Sequence, residues 1–213
     1  MLYLEGATDL AILRAFAGKL DHPARALLER PFVHYVANQP GRARDHFYGL
    51  REAKADLAGV ALYDRLDFRL NDDPNLTQLM WSRREIENYL CSREVLRAYA
   101  GQVGQTQMGE LFASTAISHM DAAIEEVTRA LATLSKPDPF GPDAKVSDEF
   151  LDPVFRKFFE EMGLPSNLMR KTDYHTLAPL LAREAIDHEA VEKLDALVTT
   201  AKKARPVGDE ELA

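Results

Sequence analysis

Cysteine is nearly absent from this 213-residue chain, where Cys91 stands alone. It cannot close an internal disulfide, and it rules out a cysteine-rich zinc site. No run of about 18 apolar residues occurs, so no segment qualifies as a membrane-spanning helix. The first residues lack the basic and apolar regions of a secretory leader, so the expected compartment is the cytoplasm. Also missing are G-x-S-x-G, H-E-x-x-H and C-x-x-C, which leaves serine-hydrolase, zincin and thiol-redox chemistry without a carrier. No G-x-x-x-x-G-K-[ST] loop occurs either. The "GKL" at 18–20 lacks the upstream glycine and the hydroxyl, so the chain is not itself an ATPase. His34, His46, His119, His175 and His188 are scattered and read as unpaired surface or core residues.

What is present is ordinary in amount and uneven in placement. Hydrophobic residues make up 46% and charged residues 28%, the balance of a globular protein large enough for one core or a core plus an appendage. Residues 1–100 carry 14 basic and 14 acidic side chains, whereas residues 101–213 carry 12 and 20. The whole net charge of −8 therefore lies in the second half. Such a surface repels phosphate, so any nucleic acid must be held locally, through metal ions, a few arginines or a partner's groove.

The first hundred residues read as strands alternating with helices. "LYL" at 2–4 is a short apolar strand, and apolar residues recur at helical spacing from Thr8 to Leu20. "FVHYV" is a second strand, ended by the turn-prone "NQPGR"; a helix over roughly 43–55 then leads to the buried-type strand "GVALYD". "TQLMWS" is a fourth strand, followed by "RREIENYLCSREVLRAYA" as one helix. This order predicts an α/β fold, a mostly parallel four-stranded sheet with helices on both faces. Beyond it, "GQVGQTQ" reads as a linker into an all-helical extension. That extension has helical patterns near 108–134, 148–162 and 176–202, interrupted by the proline-rich "SKPDPFGPD". The expected division is thus 1–100, a helical 101–203, and a disordered tail at 204–213.

Acids collect where the strands end. Glu5 follows the first strand, Asp9 lies in the first turn of the next helix, Asp64 and Asp67 follow "VALY", and Glu87 opens the helix after "LMWS". Singly, each is a common cap, turn or solvated residue. In a parallel sheet, however, the carboxyl ends of strands share one edge, where residues distant in sequence converge. Carboxylates gathered there repel one another unless neutralised, and oxygen-rich clusters suit Mg²⁺ or Mn²⁺. Two such ions can clamp the attacking and leaving oxygens of a phosphodiester. Asp72 and Asp73, in "NDDPN", read as a polar loop. Arg83 and Arg84 could contact phosphates or pair along the helix.

Together "YLEGATDLAIL", "VALYDRLD" and "WSRREIENYL" resemble the TOPRIM (topoisomerase–primase) domain of OLD-type nucleases and ATPase-linked defence proteins. The resemblance covers roughly residues 2–100, with looser likeness in "RKTDYHTLAPLL" and "HEAVEKLDALV". It implies a two-metal DNA endonuclease, the nuclease part of an ATPase-coupled anti-phage defence or repair system. Glu5 and Asp9 would serve one Mg²⁺ or Mn²⁺, and Asp64 and Asp67 the other. Glu87 would be a ligand or would orient one, Gly6 would permit a tight turn beside the metals, and Lys171 would steady transition-state charge. One departure is the spacing of "DRLD". The family's acids stand as D-x-D, which points both to one side of a strand, whereas Asp67 falls where the strand has already turned. The alternative is a catalytically weak module that docks on an ATPase or forms a homodimer. Primase or topoisomerase chemistry would need an accessory region that the sequence does not display. Since Met1 leads straight into the first strand, the chain is expected to be an excised domain or a partial gene product.

Overall fold

In a computed structural model, residues 1–204 are described; the expected tail lies outside them apart from Ala204. Four strands, β1 (Leu2–Leu4), β2 (Val33–Tyr35), β3 (Gly59–Tyr63) and β4 (Leu76–Met80), form one all-parallel sheet in the order β2-β1-β3-β4. Register runs Leu2↔Val33 on one side of β1 and Leu2↔Val60 on the other. Alternation along the strands sorts the core. Tyr3, Ala61 and Tyr63 pack with Phe47 and Ala43 of α3 (Pro40–Ala53), all buried. The sheet also carries α1 (Ala7–Lys19), α2 (Ala24–Glu29) and α7 (His188–Ala201).

α7 belongs with the strands although it is last in sequence. It packs on α1, α2 and β3, pairs Asp195 with His22 at 3.2 Å, and sets Lys193 over the Trp81 ring. The chain accordingly divides into two compact units: residues 1–81 with the segment from His188 onward, and residues 82–187. The expected division at 100/101 falls inside α4 (Arg93–Met108).

The second unit is helical: α4 and α5 (Ala113–Thr133) are joined by a short 3-10 turn at Glu110–Phe112, and a π-helical turn at Ser147–Leu151 leads into α6 (Asp152–Glu161). Phe150, Phe155, Phe158 and Phe159 fill its core with Met120 and Ile124. Two sequence expectations change here. "RREIENYLCSREVLRAYA" is not one helix: Ile86–Tyr89 is a single 3-10 turn, and α4 starts afresh where the Ser92 side chain accepts from the Val95 N–H at 3.2 Å. "GQVGQTQ" is not a linker but the last two turns of α4, which ends at Gly109, whose φ of +101° suits only glycine. Helical structure persists through these polar, glycine-containing turns because α5 packs along them. A Cβ on Gly104 would lie 2.8 Å from both the Ala116 Cβ and the Phe112 carbonyl oxygen. No helix among the described residues is long and apolar enough to cross a membrane.

Gly101 and Gly104, both within α4, separate a helix crossing from a flexible linker. Gly104→Ala should cost about 1–3 kcal/mol in urea unfolding through overpacking, despite a helix-propensity gain of about 1 kcal/mol. Gly101→Ala, whose Cβ would sit 3.5 Å from Ile117, should be neutral or stabilising. Equal tolerance at both would contradict the close crossing.

Candidate functional site

Strand order decides where chemistry can gather. Leaving β1 the chain proceeds to β2 on one side, and leaving β3 it proceeds to β4 on the other. The carboxyl ends of β1 and β3 therefore flank the switch point, where open parallel sheets leave a crevice. Glu5 is the first residue after β1, and Asp64 the first after β3, half-buried.

β1 stops at Leu4, Gly6 caps α1, and Asp9 stands in the first helical turn. This short turn folds Asp9 back: its Oδ2 accepts the Glu5 backbone N–H at 3.0 Å. A carboxylate at a helix N-terminus is ordinarily stabilised in its charged form. Here burial, then the neighbouring Glu5 charge, push the Asp9 pKa up to about 7, against the pull of the nearby backbone N–H groups. The pair thus sits where positive charge is in deficit. Gly6 plays a different part from the tight turn expected of it. Its φ of −151° is open to any residue, and a Cβ there would meet nothing within 4 Å, so glycine leaves open space beside the acids.

Asp67 lies three residues beyond Asp64 in an exposed stretch of the 64–75 connection. Asp73 is committed to shaping the end of that connection. It accepts the N–H groups of Asn75 and Leu76, each at 3.0 Å, and the Tyr48 hydroxyl at 2.7 Å.

Glu87 and Lys171 belong to the second unit. Glu87 is buried on the 3-10 turn after Glu85 rather than opening a long helix. Lys171 begins another 3-10 stretch, with its Nζ 3.5 Å from an Asp148 oxygen. Burial opposes its charge, yet Asp148, Glu85 and Glu87 outweigh that and hold its pKa above the ordinary value. Glu85, which the sequence offers only as a partner for the neighbouring arginines, is the most enclosed acid of this group. It accepts the Ser147 N–H at 2.5 Å and the Ser147 hydroxyl at 3.0 Å, and burial raises its pKa despite them. Arg83 stacks its guanidinium over Tyr89 at 5.3 Å, and the Arg84 N–H bonds the Pro142 carbonyl at 2.8 Å.

The histidines are not all solitary. His34 on β2 and His46 on α3 stack face to face, 4.0 Å between centroids, and His46 Nδ1 lies 2.9 Å from the Tyr3 hydroxyl. They are far apart in sequence and meet because β2 and α3 are folded onto β1. Burial, then His34, depress the His46 pKa.

The donors at the switch point are carboxylate oxygens, the ligands Mg²⁺ and Mn²⁺ take. Glu5 and Asp9 are brought together, and Asp64 is delivered to the adjoining strand end. Among the described residues, no three His, Cys, Asp or Glu side chains stand at metal-ligand spacing. In chemistry and charge the pair fits a hard divalent cation. An apolar cleft of about 230 Å³, lined by Met1, Leu28, Phe32 and Leu197, adjoins the opposite, amino-terminal ends of the strands and has no part in this.

The raised pKa of Asp9 has a measurable consequence with a definite sign. A carboxyl whose folded pKa exceeds its unfolded value contributes stability that is complete below the unfolded pKa and is lost as pH rises through the folded one. For Asp9 that window runs from 3.8 to about 7. In EDTA, Asp9→Asn should remove a loss of stability across this window. At about pH 8 it should melt roughly 2–4 °C above the wild type. A difference independent of pH would make Asp9 an ordinary helix-capping carboxylate.

Comparison of the chain with protein-family models, with curated proteins and with solved structures gives no match, so the reading of this site rests on its own residues.

Proposed function

We propose that the chain is a divalent-metal-dependent DNA endonuclease, the cytoplasmic nuclease part of an ATPase-coupled anti-phage defence or repair system. The observation that carries this is the Glu5–Asp9 pair at the sheet's switch point, with Asp64 on the neighbouring strand end. In this reading Glu5, Asp9 and Asp64 hold Mg²⁺ or Mn²⁺. Bound there, such ions would supply Lewis-acid activation of a water and of the leaving oxygen of the phosphodiester. The acids' own task is to fix the ions against the strand ends. Each carboxylate must be ionised to do so, which ties ion binding by Asp9 to the upper side of its raised pKa. Glu87 and Lys171 lie in the second unit, and this reading does not rest on them. Lys171 has in Asp148 a partner that holds it protonated.

A second reading, a docking module for an ATPase or a second copy of the chain, has its own support in the second unit. At the α4–α5 turn Leu111 is 91% exposed, beside exposed Met108 and Phe112. Apolar side chains grouped at one tip are a feature of contact surfaces.

The test is nicking of supercoiled plasmid by the purified chain, alone and with its ATPase partner. Activity should need metal, favour Mn²⁺ over the geometrically stricter Mg²⁺, and fall steeply with salt. Glu5→Ala, Asp9→Ala and Asp64→Ala should each bring it below detection. Asp67→Ala should lose far less, because its exposed position lies beyond the strand end. A chain that cuts nothing with either metal and either preparation would favour the docking module. Leu111→Asp should then abolish its capture by that ATPase.

A further inference from the structure

Three rings from three elements meet on one face of the sheet. His34 stands beside Tyr3 in the β2–β1 register, on the face where Tyr3 packs with Phe47 of α3. His46, on α3, stacks on His34 with 4.0 Å between centroids and 6° between planes. Tyr3 meets both imidazoles edge-on, at 6.0 and 5.7 Å. Both histidines are half-buried.

Hydrogen bonding sets the charge state of this group. The Tyr3 side chain is fully enclosed, and its hydroxyl has His46 Nδ1, at 2.9 Å, as its hydrogen-bond partner among the described residues. Burial pushes the Tyr3 pKa up to about 12, so the hydroxyl keeps its proton and donates it. Nδ1 then accepts, which places the neutral ring's own proton on Nε2. A cationic His46 would carry a second proton on Nδ1, facing the Tyr3 hydroxyl hydrogen. The hydroxyl would have to turn that hydrogen into the packed core and leave a hydrogen bond unmade.

Coulomb forces act in the same direction, because a charge on one stacked ring opposes a charge on the other. The strands beneath α3 offer no carboxylate in return: beside His34 their ionisable side chains are Tyr3, Tyr35 and Tyr63. On α3 itself Arg42, Asp45 and Glu52 are exposed, Arg44 faces Asp73 at 3.8 Å, and Arg51 donates to the Leu57 carbonyl. Burial, then His34, hold the His46 pKa below its ordinary 6.5.

We infer that the His34–His46 stack is an acid-released latch that fastens the edge strand β2 to α3. It holds while both rings are neutral, and uptake of a proton opens it. β2 has a sheet neighbour on one side only, which is β1. The latch therefore also secures one flank of the strand that ends at Glu5, and it stands apart from the metal-site reading. A histidine whose folded pKa is depressed contributes stability that is complete above 6.5 and is lost as pH falls through the folded value. Asp9 has the opposite sign between 3.8 and about 7, so it cannot produce a loss on acidification.

The experiment follows amide hydrogen exchange by NMR in the full chain in EDTA, corrected for intrinsic rates, from about pH 7.5 to about pH 5. The Val36 N–H, bonded to the Leu4 carbonyl at 2.9 Å, reports on the end of β2. The Val60 N–H, bonded to the Met1 carbonyl at 2.9 Å, reports on the other flank of β1. Val36 protection should fall about tenfold on acidification while Val60 holds, and the His46 ring should titrate with the same midpoint. His46→Gln keeps an acceptor for the Tyr3 hydroxyl and takes up no proton, so its Val36 protection should not depend on pH. Constant Val36 protection in the wild type would overturn the latch. So would the same loss in His46→Gln, or an equal loss at Val60, which marks global unfolding. If His46→Gln does not fold by circular dichroism, the wild type decides alone: a His46 midpoint apart from that of the Val36 loss overturns the latch.

Discussion

Parallel pairing of β1 on both of its sides is the constraint from which the candidate site follows. A parallel strand cannot return by a hairpin, so each connection must cross over and enter the sheet again from the same end. With β2 on one flank and β3 on the other, the chain leaves β1 and β3 in opposite directions, and both strands finish at one edge. Glu5 and Asp64 reach that edge by separate connections. Asp9 reaches it because α1 begins within two residues of Glu5.

Electrostatics then distinguishes this edge from an ordinary capped helix. A lone Asp9 would gain from the helix terminus and hold its charge easily. Enclosure and Glu5 reverse that and leave it prone to keep a proton. A site that resists its own ionisation is one that a cation would stabilise, because the ion relieves the repulsion and replaces the lost water. The second unit handles its acids in another way. Lysines 145 and 171 flank Asp148, and Ser147 gives Glu85 two hydrogen bonds, so these charges are met by protein groups.

The helical unit shows how local chemistry and packing compete. Glycine and glutamine in "GQVGQTQ" favour an irregular chain, yet α5 packs against these residues and Gly104 lets the two backbones approach. The opposite holds at "RREIENYLCSREV", where apolar spacing favours one long helix. There Glu85 caps its own short turn and Ser92 caps a new helix, so the backbone satisfies its donors twice.

Sequence by itself determined what depends on neighbours along the chain. Strand–helix alternation, the four strands, and acids at the ends of β1 and β3 were legible because apolar periodicity and strand ends are local properties. The six-residue helix α2 was not, since it offers too little pattern to stand out from the loop around it. Tertiary structure alone decided what depends on which segments meet. It returned α7 to the sheet, since the apolar face of a helix does not name the surface it will cover. It stacked His34 on His46 across 11 intervening residues, and set Asp67 outside the strand whose end carries Asp64. It also enclosed the side chain of Tyr3, a residue that in sequence is only part of an apolar strand. Burial is a sum over all surrounding segments, so no stretch of sequence contains it.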